Sequence, residues 1–347
     1  MQVPTNGAID PAIAHQVRGR AAEAATPLPR CILCSAEARL KMTMPLDAKT
    51  FKATSHGRVF ECARCGIGFV HPRPTPAETS SFYQLDAYYT QGASHMVATP
   101  PPGFLSRLRT HLAWRADAGE TLLDVMQEEL PHHSDVVDVG CGNGHLLRNL
   151  ADRGHRVTGV ERDTSSVSLK RHDIPVLEGS AESLPAAFKP ATCDGLVFSH
   201  VLEHLVDPEA AVRNAAALLK PTGLMFCEVP NNESLVAKQS GLAWEHLDIP
   251  RHINFFTEQS LGALVRSAGL TVRRVYFSGY CRYFADAYIA TEQRIYDRLA
   301  AVPDGTEQTT RNSTANAWIL LARTAFAGSR QKYDSVGIVG GWPAVRA

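Results

Sequence analysis

Four cysteines near the N-terminus form two close pairs. Cys31 and Cys34 enclose two residues, as do Cys62 and Cys65, and 27 residues separate the pairs. Two C-x-x-C pairs can present four thiolates in a tetrahedron, so we expect a structural zinc site, with iron or a metal-free cluster as alternatives. A complete four-thiolate shell leaves no position for a reacting water. The site is therefore expected to hold structure rather than to perform chemistry.

A glycine-rich turn is the second feature with chemical potential. The stretch from Asp138 to Gly144 reads DVGCGNG, follows a β-branched run and precedes the helical stretch HLLRNLADRG. Backbone amides in such a turn can approach a ligand closely. The spacing is G-x-G-x-G rather than the G-x-G-x-x-G of dinucleotide sites. Glu161 ends the next predicted strand, where a carboxylate can accept both hydroxyls of a ribose.

Histidines supply the candidate acid–base groups. If the acceptor is a hydroxyl or a carbon acid, a proton must be removed, and histidine is best suited to this near neutral pH. His200 directly follows the predicted fourth strand, where ligands of parallel sheets bind, so it is a candidate base or a wall of the ligand pocket. His204 lies four residues on beside Glu203, and this pair could cap a helix, form an ion pair or bind a metal.

The elements that must position these residues alternate between strand and helix. Apolar runs predict five strands, with helical stretches between them, at 135–140, 155–161, 174–179, 193–199 and 223–230. This alternation predicts a parallel sheet covered by helices on both faces. The runs at 271–280 and 315–324 predict two further strands, separated by a helix over roughly 284–302.

Composition limits the classes of function. Lys plus Arg and Asp plus Glu both number 35, so no net basic field holds a polyanion, and a nucleic-acid partner is not expected. No apolar run approaches the roughly 20 residues that span a bilayer, and the N-terminus has no pattern of a leader. We therefore expect a cytoplasmic protein with no membrane contact.

The glycine turn, Glu161 and three later stretches together resemble the class I S-adenosylmethionine-dependent methyltransferases. The later stretches are EGSAESLP (178–185), FSHVLEHLVDP (198–208) and LLKPTGLMFCEVPN (218–231), and the resemblance runs from about 105 to 325. It implies a Rossmann-like α/β fold with a seven-stranded sheet, helices on both faces and bound S-adenosylmethionine. The cofactor-binding residues that it implies are Asp138, Gly140, Cys141, Gly142 and Gly144 at the methionine end, Glu161 at the ribose, Ala181 and Glu182 beside the adenine, and His200. Ser180 stands where the family more often has Asp.

The N-terminal segment from Cys62 to Tyr89 resembles the zinc-ribbon lead-in of bacterial sugar and natural-product methyltransferases, among them the deoxysugar C-methyltransferases. In that group the module lies over the active site, which makes Tyr83, Tyr88 and Tyr89 candidate pocket residues. The stretch RHINFF (251–256) resembles a segment whose histidine is a proposed base, so His252 becomes the first candidate for acid–base catalysis.

Arg251 departs from the group's pattern, because it occupies the place of a glutamate. It could therefore meet an anionic acceptor. Trp244, Glu245 and His246 lie just upstream and could line the same cavity.

These features divide the chain into five predicted regions. They are a disordered tail (1–29), a zinc-ribbon-like module (30–76), a helical linker and lid (77–130), a methyltransferase domain (131–325) and a C-terminal tail (326–347). The predicted function is transfer of a methyl group to carbon or oxygen of a small-molecule, sugar-like or anionic acceptor. The alternatives are an RNA methyltransferase that binds RNA through the zinc ribbon, and a non-catalytic module that only binds S-adenosylmethionine.

Overall fold

A computed structural model describes residues 28–82, 96–164, 167, 173–303, 305–306 and 309–344. The strands in chain order are β1 (Ala38–Thr43), β2 (Arg58–Cys62), β3 (Gly68–Val70), β4 (Asp135–Val139), β5 (Arg156–Glu161), β6 (Val176–Glu178), β7 (Cys193–Ser199), β8 (Leu219–Pro230), β9 (Asn254–Phe255), β10 (Thr271–Ser278) and β11 (Ser335–Gly341). The α-helices are α1 (Pro76–Ser81), α2 (Phe104–Ala116), α3 (Leu122–Glu129), α4 (His145–Ala151), α5 (Pro208–Ala216), α6 (Leu235–Ser240), α7 (Glu258–Ser267), α8 (Asp286–Leu299), α9 (Thr314–Thr324) and α10 (Ser329–Lys332).

The large sheet confirms the predicted seven-stranded α/β fold. Its strand order is β10-β11-β8-β7-β4-β5-β6, in which β4 to β8 pair in parallel and β11 runs antiparallel to both its neighbours. Alternate residues of β4 enter two different core clusters. Val137 and Val139 pack with apolar residues of α5 and α7, whereas Val136 packs with residues of α3 and α4. Helices therefore cover both faces of the sheet.

The region 315–324 differs from its prediction, because it forms helix α9 and not a strand. Ser313 begins the helix by accepting a hydrogen bond from the backbone N–H of Asn316. The buried residues of α9 are Ala317, Leu320, Leu321 and Thr324, a spacing that places them on one helical face. A short apolar run has the same pattern in a buried strand and in a buried helix, so the sequence pattern alone could not distinguish the two.

The seventh strand is instead β11, within the stretch that we predicted as a C-terminal tail. All seven of its residues are buried, and it lies between β8 and β10. Three glycines in SVGIVGG disfavour a strand by propensity. They are required by packing, however, since a Cβ on Gly337 would lie 2.0 Å from the Tyr276 ring. The sheet therefore extends past residue 325.

A second, four-stranded sheet contains the cysteine pairs. Its order is β1-β2-β3-β9, so its last strand comes from a segment almost 200 residues later in the chain. Gly68 pairs with Phe255 and Phe69 with Asn254. The N-terminal module is thus completed by the loop that carries Arg251 and His252.

A third group of helices lies in a separate apolar cluster. Residues of α2, α6, α8 and α9 share one apolar cluster with the segment 242–249. Within the described part of the chain, no helix has both the length and the apolar character that crossing a membrane requires.

Candidate functional site

A cavity of about 590 Å³ lies outside the carboxyl ends of β4, β5, β6 and β7. Most of the predicted cofactor residues line it, namely Asp138, Gly140, Cys141, Gly142, Glu161, Ala181 and His200. Its volume lies within the range of pockets that bind small molecules. Ligands of parallel α/β proteins bind at this end of the sheet. Gly144 lies at the N-terminus of α4, where it has a φ of 76°.

The glycine turn has the backbone conformation that the sequence indicated. Gly140, Gly142 and Gly144 have φ values of 77°, 52° and 76°, in the left-handed region that favours glycine. A Cβ on Gly140 would lie 2.6 Å from Val201, whereas a Cβ on Gly142 would meet no atom within 4 Å. Since Gly142 lines the cavity, the space beside it is the space that a ligand would occupy.

Two carboxylates give the cavity a negative character. Glu161 accepts hydrogen bonds from the backbone N–H groups of Gly142 and Arg162, both at 2.8 Å. Asp138 is 2% exposed, and burial together with the negative charge of Glu161 raises its pKa to about 7. A cationic ligand would relieve this repulsion. S-adenosylmethionine, which carries a sulfonium and an ammonium group, fits such a cavity.

The predicted adenine-binding segment is only partly directed into the cavity. Ser180 and Ala181 line it. The Glu182 carboxylate instead accepts a hydrogen bond from the backbone N–H of Asp207 at 3.0 Å and lies 3.3 Å from the Arg162 guanidinium. Its position beside the adenine therefore stays a prediction that these contacts do not favour.

His200 lies at the edge of the cavity between two carboxylates. Its Nδ1 is 3.3 Å from Glu203 and its Nε2 is 3.6 Å from Glu228. Burial opposes protonation, but the two carboxylates raise the pKa of His200 to about 10. A histidine that is already protonated at neutral pH cannot accept a proton, so this geometry favours a binding role over the predicted role as base.

Glu203, His204 and His252 form what we call the histidine cluster. Donor atoms of the three side chains lie within 4.8 Å of one another, and the two imidazole rings are 4.6 Å apart. His204 lines the cavity, and His252 lies behind it, 4% exposed. The structure therefore brings the predicted base next to the site, with one histidine between it and the cavity.

Hydrogen bonds set the tautomers of both rings in the histidine cluster. Nδ1 of His204 donates to the carbonyl of Arg251 at 3.1 Å, and Nδ1 of His252 donates to the carbonyl of His246 at 2.7 Å. In the neutral rings Nε2 then carries the lone pair. Burial, and to a smaller extent the neighbouring His204, lowers the pKa of His252 to about 4, so this ring is neutral at pH 7.

The carboxylate of the histidine cluster is ionised. Burial alone would raise the pKa of Glu203, but His200 and His204 lower it to about 2. Glu203 is 1% exposed, and neither of its oxygens accepts a hydrogen bond. A buried carboxylate with two imidazole nitrogens, each ring fixed by a backbone carbonyl, is also a donor set that suits a divalent cation.

Arg251 does not face an acceptor, which corrects the prediction of an anion-binding role. Its guanidinium is 1% exposed and donates to both oxygens of Asp47, at 2.7 and 3.0 Å, and to Asp248 at 2.9 Å. Two carboxylates already neutralise this charge. Arg251 thus joins the loop that carries His252 to the N-terminal module.

The side chains just upstream of Arg251 also contact other parts of the protein and not the cavity. Glu245 pairs with Lys49 at 2.9 Å, and His246 lies 3.4 Å from Asp334. Trp244 is 2% exposed and lies in the apolar cluster that α2, α6, α8 and α9 share. None of the three is among the residues that line the described cavity. Tyr83, Tyr88 and Tyr89, the predicted pocket tyrosines, lie outside the described residues.

Arg73 is a positioning residue that sequence reasoning missed. Its guanidinium donates to the carbonyls of Leu205, Val206 and Ile253 and to the side chain of Asn254, at 2.7 to 2.9 Å. Burial lowers its pKa to about 10, so it remains a cation. Its place between two prolines at the end of the module, in HPRPTP, is the signal that could have revealed it. Arg73 joins the module to both loops of the histidine cluster.

The four predicted metal ligands do converge, in what we call the thiolate cluster. The sulfur atoms of Cys31 and Cys65, and those of Cys34 and Cys62, are 3.5 Å apart, and all four lie within 4.8 Å of one another. A tetrahedral zinc with Zn–S bonds of about 2.3 Å requires sulfur separations of about 3.8 Å. The cluster therefore fits a structural zinc.

The two knuckles of the thiolate cluster repeat one backbone design. Ser35 and Gly66 each follow a second cysteine, have φ values of 57° and 74°, and donate a backbone N–H to the carbonyl of the first cysteine. This turn directs both sulfur atoms of a pair toward one point.

Comparisons with known proteins identify methyltransferases as the relatives of this chain, in agreement with the predicted cofactor site. Residues 104–275 match the family described as "Methyltransferase domain". A ubiquinone biosynthesis O-methyltransferase of Chromobacterium violaceum is 30% identical over 162 residues, which cover 42% of this chain and 68% of that protein. The protein with the same name in Nitrosospira multiformis is 34% identical over 161 residues, 42% of this chain and 66% of its own length.

A solved structure of a possible histamine N-methyltransferase from Thermotoga maritima aligns with 68% of this chain and 92% of its own. The TM-score is 0.44 and the sequence identity 20%.

Proposed function

The chain belongs to the class I S-adenosylmethionine-dependent methyltransferases, and we propose that it methylates a hydroxyl group of a small-molecule acceptor. Relatives named as O-methyltransferases support oxygen as the methylated atom. Polar residues among those that line the cavity, such as Ser80, Ser199 and His204, support a hydroxylated, sugar-like acceptor. Carbon methylation of such a molecule is the runner-up.

The histidine cluster is the observation that carries this proposal. Methylation of a hydroxyl requires a group that takes its proton, and His204 presents at the cavity wall an imidazole whose Nδ1 donates to a backbone carbonyl. His252, which its lowered pKa keeps neutral, lies behind it, and the Glu203 carboxylate stabilises positive charge on either ring. We propose that the proton passes from the acceptor to Nε2 of His204 and is shared with His252.

The remaining cavity residues hold and orient the cofactor in this proposal. S-adenosylmethionine supplies the methyl group, which it carries on a sulfonium. Asp138 attracts the positively charged end of the cofactor, and Glu161 binds its ribose. The turn at Gly140 and Gly142 leaves space for the cofactor. Holding donor and acceptor in line accounts for much of the rate that such enzymes achieve.

A divalent cation in the histidine cluster is a second candidate role for the same residues. The buried carboxylate of Glu203, whose oxygens accept no hydrogen bond, and the fixed Nδ1–H groups of both rings favour it. A bound cation would lower the pKa of an acceptor hydroxyl instead of removing its proton through a histidine. Turnover would then stop in a chelator and return with magnesium or manganese.

The experiment uses S-adenosylmethionine with a ¹³C-labelled methyl group and a panel of phenols and sugar nucleotides. We expect acceptor-dependent formation of S-adenosylhomocysteine and a product whose ¹³C resonance is that of a methyl ether. A carbon-bound methyl would support the runner-up. Saturable cofactor binding without turnover of any acceptor in the panel would contradict both.

A further inference from the structure

Exposed apolar side chains are concentrated on two neighbouring helices. Nine large apolar side chains are exposed among the described residues, and seven of them lie on α2 or on and just after α9. These seven are Phe104, Leu105, Leu108, Leu112, Trp114, Ile319 and Phe326. Phe104 is 78% and Phe326 is 95% exposed. A concentration of exposed large apolar side chains is a feature of interaction sites in monomeric proteins.

Helical periodicity shows that these residues form solvent-facing stripes. On α2, Phe104, Leu108 and Leu112 recur every fourth residue, while Arg109 and Ala113 occupy the buried side. On and after α9, Ala315, Ile319, Ala322 and Phe326 are exposed, opposite the buried residues of that helix. The two helices contact each other, and their buried residues share one apolar cluster. We call these stripes together the apolar face.

The charged residues within α2 and α9 have one sign. Neither α2 nor α9 contains an aspartate or a glutamate, although acidic residues make up about one tenth of the chain. Arg107, His111 and Arg115 are exposed on α2, and Arg323 is exposed on α9. A protein with no net charge thus carries only basic charges on the two helices that hold most of the exposed large apolar side chains of its described residues.

We propose that the apolar face binds the surface of an anionic phospholipid bilayer. Aromatic and leucine side chains bordered by arginines, without acidic residues, have the chemistry of helices that lie in the membrane interface. A second copy of the chain fits less well, because a two-fold contact would place the same arginines opposite one another. The sequence predicted no membrane contact because no segment spans a bilayer, but a helix that lies in the interface needs no span.

Vesicle sedimentation tests this proposal with the full chain. We expect binding to phosphatidylcholine vesicles that contain phosphatidylglycerol, and at least about tenfold weaker binding to phosphatidylcholine alone. The double substitution Leu105→Glu and Leu112→Glu should weaken binding to both kinds of vesicle by at least about tenfold. Arg107→Gln and Arg115→Gln should each reduce binding to the anionic vesicles by about fivefold.

The matched control is Leu40→Glu, since Leu40 is 50% exposed on β1, outside the apolar face. It should bind vesicles as the wild type does. Circular dichroism and S-adenosylhomocysteine binding report whether each variant is folded. Absence of wild-type binding to anionic vesicles overturns the proposal. So does a wild-type dimer, seen by light scattering, that the leucine variant dissociates while neither protein binds vesicles.

Discussion

The thiolate cluster and the histidine cluster both consist of side chains that can bind a metal ion, but the two clusters have different surroundings. Four thiols close the first on every side, within a small sheet, and leave no position for a substrate. The second has three donors, and one of them, His204, lines a cavity. A closed set stabilises a fold, whereas an open set can act on a bound molecule. The two clusters should therefore fail in different ways when they are altered.

Cys62→Ser tests the closed side of this comparison and should have the largest effect on stability. Losing one thiolate should release the zinc and lower the free energy of unfolding by on the order of 5 kcal/mol, because binding energy in such sites is folding energy. Native mass spectrometry reports the metal, and urea unfolding reports the stability. Cys281→Ser, which changes a cysteine outside the cluster, should retain the zinc. Full zinc content in the Cys62 variant would contradict the assignment.

His252→Asn tests the open side. Asparagine can keep a donor to the carbonyl of His246 but has no nitrogen in place of Nε2. We expect turnover to fall about 100-fold, as for loss of an acid–base group, with affinity for S-adenosylhomocysteine within about twofold of the wild type. Isothermal titration and initial rates separate the two quantities. A collapse of cofactor affinity with intact zinc would place His252 in the cofactor pocket instead.

Glu161→Ala sharpens the comparison by altering the cavity without touching either cluster. The carboxylate accepts two backbone hydrogen bonds and is the proposed ribose ligand. Its loss should weaken cofactor binding about 10- to 100-fold, the range expected for hydrogen bonds to a charged group. Zinc content should not change. Unaltered binding of S-adenosylhomocysteine would remove Glu161 from the proposed cofactor site.

Glu292→Gln is the smallest test, because Glu292 is a buried carboxyl outside both clusters. Burial raises its pKa from 4.5 to about 8, the opposite of Glu203, although hydrogen bonds from Ser240 and Asn312 lower it in part. The folded state therefore holds a proton that the unfolded state has lost between about pH 4.5 and 8, and stability falls as the pH rises through that window.

The glutamine variant keeps a neutral side chain of the same size, so this part of the pH dependence should vanish. Between pH 5.5 and 7.5 we expect the wild type to lose about 2 kcal/mol more unfolding free energy than the variant. Urea titrations at the two pH values measure the difference. Parallel losses in the two proteins would show that Glu292 is ionised in the folded state.

Local sequence predicted the parts of the site that depend on local geometry. The glycine turn and both C-x-x-C knuckles need particular backbone conformations at fixed spacing, and such patterns are visible in the chain. Strand β11 was missed because its glycines are required by distant side chains, such as Tyr276, which lies against Gly337 and is about 60 positions earlier. Two of the ion-pair partners were likewise hidden, since Glu228 is distant in sequence from His200 and Asp47 is distant from Arg251. Long-range packing carried this information.

The link that Arg73 and β9 make has a consequence for how this protein could have been assembled in evolution. A zinc module that ends before residue 76 looks portable, but its guanidinium donates to carbonyls of two loops in the other domain, and its sheet is completed by Asn254 and Phe255. A recombination event that exchanged the module alone would leave those carbonyls and that strand edge unsatisfied. We expect the module and the two loops to be inherited as one unit, despite their separation along the gene.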